Sequence, residues 1–253
     1  MRQSFIAGNW KMHLDGESIA AFCAELAGAS LPADVRVGIY PPFVYLPQVV
    51  AALSGTGVIV GAQTCRPEDK GAFTGEVSAR QVKDVGATSV IVGHSERRHV
   101  MGETDADVRA RLDAALAHGL DVVLCVGETL EEREAERTAA VVAAQLDAGV
   151  NGLEGAILSR RVTIAYEPVW AIGTGLTASP AQAQEVHAML RGRLTEAFGN
   201  EVAAEVLIQY GGSVKPDNVV ELMSCPDVDG ALVGGASLQY DSFTALVNHG
   251  VDG

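Results

Sequence analysis

The chain has 253 residues, with 18 Lys and Arg against 32 Asp and Glu, a formal net charge of −14, 28 glycines, four cysteines and only 5% aromatic residues. Surface scaling lets a compact monomer of this size bury about 72% of the surface of its unfolded chain, so a large core can form without disulfide or metal staples. The acidic balance excludes nucleic acid as a partner, because such binding draws much of its affinity from clustered Lys and Arg. No apolar run of about 18 residues is long enough to cross a bilayer, and Met1 to Phe5 lacks a signal-peptide pattern. Cys23, Cys65, Cys125 and Cys225 are far apart, with no metal-ligand spacing. The expectation is a cytoplasmic protein with no membrane partner and no metal.

Short apolar, β-branched runs recur along the whole chain, each followed by a segment of helical period. In order they are Phe5 to Asn9, Val35 to Tyr40, Val58 to Gln63, Ser89 to Gly93, Val122 to Gly127, Val162 to Glu167, Val206 to Tyr210 and Val228 to Gly234. Most are continuously apolar rather than alternating, as expected of parallel strands covered on both faces. Among the intervening segments, Thr104 to His118 reads as a helix with a Thr cap, an acidic first turn and Gly119 as its stop. Glu131 to Leu146 reads as another, and Ser179-Pro180 as a cap followed by Pro at the first helical position. No Pro-rich or Ser/Gly-rich linker divides the chain, so residues 1–253 are expected to form one α/β domain. Eight βα units in this length fit a closed (β/α)8 barrel; an open doubly wound sheet is the alternative.

In such a barrel the active site lies where strands end and βα loops begin. After the first run come Asn9 and Lys11, a fixed cation for an anionic substrate or an amine for a Schiff base. After the fourth comes His94, leading into a helix whose positive end is expected to depress the imidazole pKa. The sixth run ends in Glu167, where desolvation is expected to raise the carboxyl pKa toward that of a general base. Beyond it, Gly173-Thr174-Gly175-Leu176-Thr177-Ala178 contains G-x-G-x-x-A. It is not a dinucleotide fingerprint, since Pro168 and Trp170 separate it from the strand and the strand is the sixth. It reads as a lid with hinges at both ends. Gly211-Gly212-Ser213 and Gly234-Gly235 follow the last two runs, where barrels commonly bind phosphate on backbone N–H groups. Residues alone thus lead to a phosphate-binding barrel with Lys, His and Glu at its mouth, and a proton-transfer enzyme is the leading class.

These stretches closely resemble one family, the triosephosphate isomerases. The resemblance is carried by Gly8-Asn9-Trp10-Lys11-Met12, Gly61-Ala62-Gln63, Gly71-Ala72-Phe73-Thr74-Gly75-Glu76 and Val92-Gly93-His94-Ser95-Glu96-Arg97-Arg98. It continues through Cys125-Val126-Gly127-Glu128, Ala165 to Gly175, Tyr210 to Val214 and Asp229 to Ser237, and so covers essentially the whole chain. It implies the TIM-barrel fold and cofactor-free interconversion of dihydroxyacetone phosphate and D-glyceraldehyde 3-phosphate through an enediolate. By the same resemblance Glu167 is the base, His94 the neutral electrophile, Lys11 the cation that stabilises the oxyanion, and Asn9 a further donor. Backbone N–H groups of Gly173, Ser213, Gly234 and Gly235 would hold the phosphate, and the lid from Pro168 to Ala178 would exclude water. The loop Gly71 to Glu76 implies a homodimer with Thr74 near the partner's site. Leu176 and Thr64 depart from the family's usual Lys and Asn, which bears on lid kinetics and on the interface. Cys125 is expected to pack behind Glu167 as a buried small residue. An aldolase using Lys11 as a Schiff-base nucleophile and a catalytically silent phosphosugar-binding protein are the alternatives.

Overall fold

A computed structural model describes residues 2–172 and 177–249. The strands are β1 (Ser4–Asn9), β2 (Val35–Tyr40), β3 (Ile59–Ala62), β4 (Ser89–Val92), β5 (Asp121–Val126), β6 (Val162–Tyr166), β7 (Ile208–Tyr210) and β8 (Gly230–Val233). Each pairs in parallel with the next, and β8 returns to β1 through Phe5 opposite Gly230, which closes the barrel in sequence order. The open-sheet alternative is therefore excluded.

The sequence pattern hides a period of two, because both faces of every strand are apolar. One set of side chains points into the barrel: Phe5, Ala7, Tyr40, Ile91, Val123, Cys125, Ala165, Leu207 and Leu232 form an interior cluster. The alternate set, including Ile6, Val37, Ile39, Val90, Val92, Leu124, Ile164 and Ile208, packs outward in the larger core beneath the helices. Burying such a side chain contributes about 1.5–3 kcal/mol, so a one-residue slip in any strand would exchange two packed layers. The register therefore also fixes which residue comes next at the mouth. Counting on from Phe5 and Ala7 gives Asn9, from Ile59 gives Gly61 and Gln63, from Ala165 gives Glu167, from Leu207 gives Gln209 and Gly211, and from Leu232 gives Gly234.

The helices start where the sequence places their caps. Ser78 with Gln81, Thr104 with Asp107, Thr129 with Glu132 and Ser179 with Gln182 each form a reciprocal capping box. Loss of such a cap costs about 0.5–2 kcal/mol. The segment expected as one helix from Glu131 to Leu146 is instead two, Leu130–Glu134 and Thr138–Val150. Glu136 breaks it by adopting a positive φ of 55°. No helix among the described residues is long and apolar enough to cross a membrane.

Candidate active site

A cavity of about 600 Å³ opens at the C-terminal ends of the strands, lined by Asn9, Lys11, His94, Glu167, Ser213, Gly234 and Gly235 among others. Every site residue expected from sequence that lies among the described residues therefore lines one cavity. Gly173 and Leu176 lie outside the described residues, as does the middle of the expected lid.

Glu167 stands at the centre of the polar wall. It continues the inward series of β6, and its own backbone N–H extends the sheet by donating to the Val126 carbonyl at 2.8 Å. Gly211 makes room for it: a Cβ there would lie 2.8 Å from Glu167 Cγ. One carboxylate oxygen accepts the Ser95 backbone N–H at 2.8 Å, and the other lies 3.0 Å from His94 Nε2.

His94 falls outside the inward series of β4, which ends at Gly93. A positive φ of 70° at Gly93 turns the chain and brings the imidazole round to the mouth. His94 then caps the short helix Ser95–His99, and its Nδ1 accepts the Glu96 backbone N–H at 3.2 Å. An Nδ1 that accepts leaves the neutral ring's proton on Nε2, aimed at Glu167.

The pKa directions reverse those expected from sequence. Burial works against ionisation of Glu167, but the charge and hydrogen bond of His94, the Ser95 N–H and the nearby Lys11 outweigh it and hold the carboxyl below its ordinary value. Burial likewise opposes a charged His94, and the Glu167 carboxylate outweighs it, so the imidazole pKa is raised. Both shifts come from pairing at 3.0 Å and belong to this resting arrangement. With Glu167 turned away, burial and the Glu96 N–H would hold the imidazole neutral.

Lys11 has a φ of +49°, a region that costs a non-glycine residue about 1–3 kcal/mol and persists only where surrounding contacts determine it. Its ammonium pairs with Glu96 at 2.6 Å, its stem lies beside Gly234, and its N–H donates to Asn9 Oδ1 at 3.1 Å. Asn9 is thereby held against Lys11 and is itself buried. Two strands round the barrel from β1, the Ser213 carbonyl accepts a hydrogen bond from Asn218 at 3.0 Å, which fixes the turn after β7.

Cys125 is fully buried in the barrel interior, where burial first and the nearby Glu167 second raise its thiol pKa well above the ordinary value, so it is an inert packing residue. Thr74 lies in the exposed loop 71–76, away from the cavity. Sequence reasoning missed the Ser95 N–H, the Glu96 partner of Lys11 and the room left by Gly211. Each depends on contact between residues far apart in the chain or on a backbone atom that no motif names. Among the described residues, no cluster of His, Cys, Asp or Glu could hold a metal.

The chain matches the triosephosphate isomerase family model over residues 4–250. The chain belongs to the triosephosphate isomerase family. It is 52% identical over 248 residues to the triosephosphate isomerase of Carboxydothermus hydrogenoformans, covering 98% of both chains. To that of Moorella thermoacetica it is 52% identical over 249 residues, covering 98% of this chain and 99% of the other. To that of Syntrophotalea carbinolica it is 49% identical over 248 residues, with 98% of each covered.

Proposed function

We propose that Glu167 and His94, with Lys11 and Asn9 beside them, carry the reaction of this family in this chain. The chain is an isomerase that interconverts dihydroxyacetone phosphate and D-glyceraldehyde 3-phosphate, a step of glycolysis and gluconeogenesis. The observation that supports the residue assignment best is the buried Glu167–His94 pair, 3.0 Å apart on the wall of a cavity rimmed by the glycine turns after β7 and β8.

Removing a proton beside a carbonyl puts charge on oxygen, and fixed donors lower that barrier by about 3–4 kcal/mol each in a water-poor site. Glu167 is held as a carboxylate, so it is competent as the base. His94 carries its proton on the nitrogen that faces the cavity wall and offers it to the substrate oxygens. Once substrate takes over the Nε2 hydrogen bond, Glu167 is released toward carbon. Lys11 supplies the cation at the developing oxyanion, and Asn9 a further donor. The N–H groups of Ser213, Gly234, Gly235 and Gly173 take the phosphate, and the segment from Pro168 to Ala178 closes over it.

In an assay coupled to a dehydrogenase, Glu167→Gln should lower kcat/KM by about 10²–10⁴-fold. Near-native turnover would remove Glu167 from the role of base. Failure of borohydride to trap a ketose phosphate on Lys11 would separate this reading from an aldolase.

The reading includes a homodimer in the cytoplasm, a setting that suits four cysteines left as free thiols. The most exposed apolar side chains include Met12, Val44, Val100 and Met101, with Phe73 partly exposed. They follow β1, β2, β3 and β4, four consecutive strands, so they share one sector of the mouth with the loop 71–76. A second copy of the chain is the partner that such a sector fits. Sedimentation at micromolar concentration should give twice the chain mass; a stable, active monomer would overturn the dimer.

A further inference from the structure

We propose that Gln63 is a positioning residue that acts on the reaction through Lys11. The inference rests on the role of Lys11 given above and adds the residue that keeps its backbone in place. Gln63 is the mouth-end member of the inward series of β3, as Asn9 is for β1 and Glu167 for β6. Unlike those two it does not line the cavity. Its amide turns sideways instead, and Nε2 donates to the Lys11 carbonyl at 2.8 Å and to the Tyr40 carbonyl at 2.9 Å.

Two carbonyl acceptors fix the orientation of the amide, because only its nitrogen has two protons to give. The Tyr40 carbonyl also accepts the Trp10 backbone N–H at 3.1 Å. Gln63 thus joins the ends of β1, β2 and β3 at the residue whose φ is +49°. A backbone in that region needs contacts that determine it, and the only side-chain donor to the Lys11 carbonyl among the described residues is Gln63. The neighbouring contacts act on other atoms: Asn9 accepts from the Lys11 N–H, and Glu96 pairs with its ammonium. Without Gln63 the peptide after Lys11 is free to turn, which displaces the ammonium from the oxyanion it is meant to face. Misplacement of a reacting group by about 1 Å costs about a hundredfold in rate.

The test is a double-mutant cycle on kcat/KM with Lys11→Met, Gln63→Met and the pair. Gln63→Met keeps the length of the side chain and removes both hydrogen bonds. The expected result is a loss of about 10- to 100-fold for Gln63→Met alone and no further loss beyond about twofold when it is added to Lys11→Met. Equal fold losses in both backgrounds would overturn the inference, since a merely structural Gln63 acts whether or not Lys11 carries its charge. If Gln63→Met does not fold, Gln63→Glu takes its place. Its carboxyl donates one hydrogen bond when protonated and faces two carbonyl oxygens when ionised, so its kcat/KM relative to the native enzyme should fall as pH rises. A ratio independent of pH would likewise overturn the inference. Should Lys11→Met leave kcat/KM unchanged, the role of Lys11 itself falls. If Lys11→Met is impaired and Gln63→Met is not, only the role of Gln63 falls.

Discussion

The two ends of the barrel use charge in opposite ways. At the N-terminal ends of the strands, Asp229 is held by Arg2 at 2.5 Å, by Arg191 at 2.5 Å and by the Ile208 N–H at 2.8 Å. Arg191 also binds Asp227 at 3.1 Å and the carbonyls of Ala203 and Val206, and Arg161 bridges to Asp121 across β5 and β6. These charges are bound to one another and to the backbone, and they clamp the strand starts. At the C-terminal ends the charges are also paired, Glu167 with His94 at 3.0 Å and Lys11 with Glu96 at 2.6 Å, but beside a cavity of about 600 Å³. Pairing at the bottom is structural; pairing at the mouth, on the function proposed above, is a resting state that a substrate can exchange.

The sharpest way to break this comparison is to swap a charged residue at each end. Arg191→Met removes four hydrogen-bonded contacts and leaves buried carboxylate short of a partner, a loss of about 3–5 kcal/mol. The unfolding midpoint in urea should fall accordingly, while kcat/KM per folded molecule changes by no more than about twofold. Glu167→Gln should do the reverse, with its stability near native and its turnover largely gone. A strong turnover defect in folded Arg191→Met would show the two ends to be coupled.

A pH titration sharpens the comparison further, because His187 sits between the two ends. Its ring packs edge-on against Tyr166, the last residue of β6, and tilts against Tyr210, the last of β7. Its Nδ1 meets the Asp227 carbonyl at 3.1 Å. Burial lowers its pKa from 6.5 to about 4, the Asp227 carbonyl opposing and Arg191 adding to the shift. Between those values the unfolded chain binds a proton that the folded protein refuses. Stability should therefore fall as pH drops from about 6.5 to about 4, by about 3 kcal/mol in all. The raised pKa of His94 acts on the other side of 6.5, where its contribution is lost as pH rises. The lowered pKa of Asp227 acts below 3.8. Unfolding free energies of His187→Phe should lack the slope between about 6.5 and about 4, and a slope equal to the native one would assign it elsewhere.

Most of this architecture was legible in the chain, and the exceptions have physical causes. Eight apolar runs mark the eight strands because each is buried on both faces, and their ends mark the mouth because polar residues and glycines break the runs there. The break at Glu136 was not legible, since the left-handed region is usually taken by Gly or Asn and nothing in a Glu announces it. Lys11 escaped for the same reason. The pKa directions of Glu167 and His94 came out reversed because sequence gives each its own desolvation and helix-end field. It cannot give the 3.0 Å between two residues 73 positions apart in the chain.

The smallest expected effect concerns the glycines, which serve the two ends differently. At the bottom, a Cβ on Gly230 would lie 2.0 Å from the Phe5 carbonyl oxygen, a backbone atom held in the β1–β8 ladder. Gly230→Ala must therefore push strands apart, and its cost falls on stability. At the mouth, a Cβ on Gly211 would lie 2.8 Å from Glu167 Cγ and 3.2 Å from the Tyr166 carbonyl. The nearest obstacle there is the side chain that, as the proposed base, would have to move during the reaction. Gly211→Ala should lower kcat/KM about tenfold by restricting Glu167, with an unfolding midpoint well above that of Gly230→Ala. The reverse ranking, with Gly211→Ala the less stable and still fully active, would mean that Gly211 is there to close the barrel rather than to free the carboxylate.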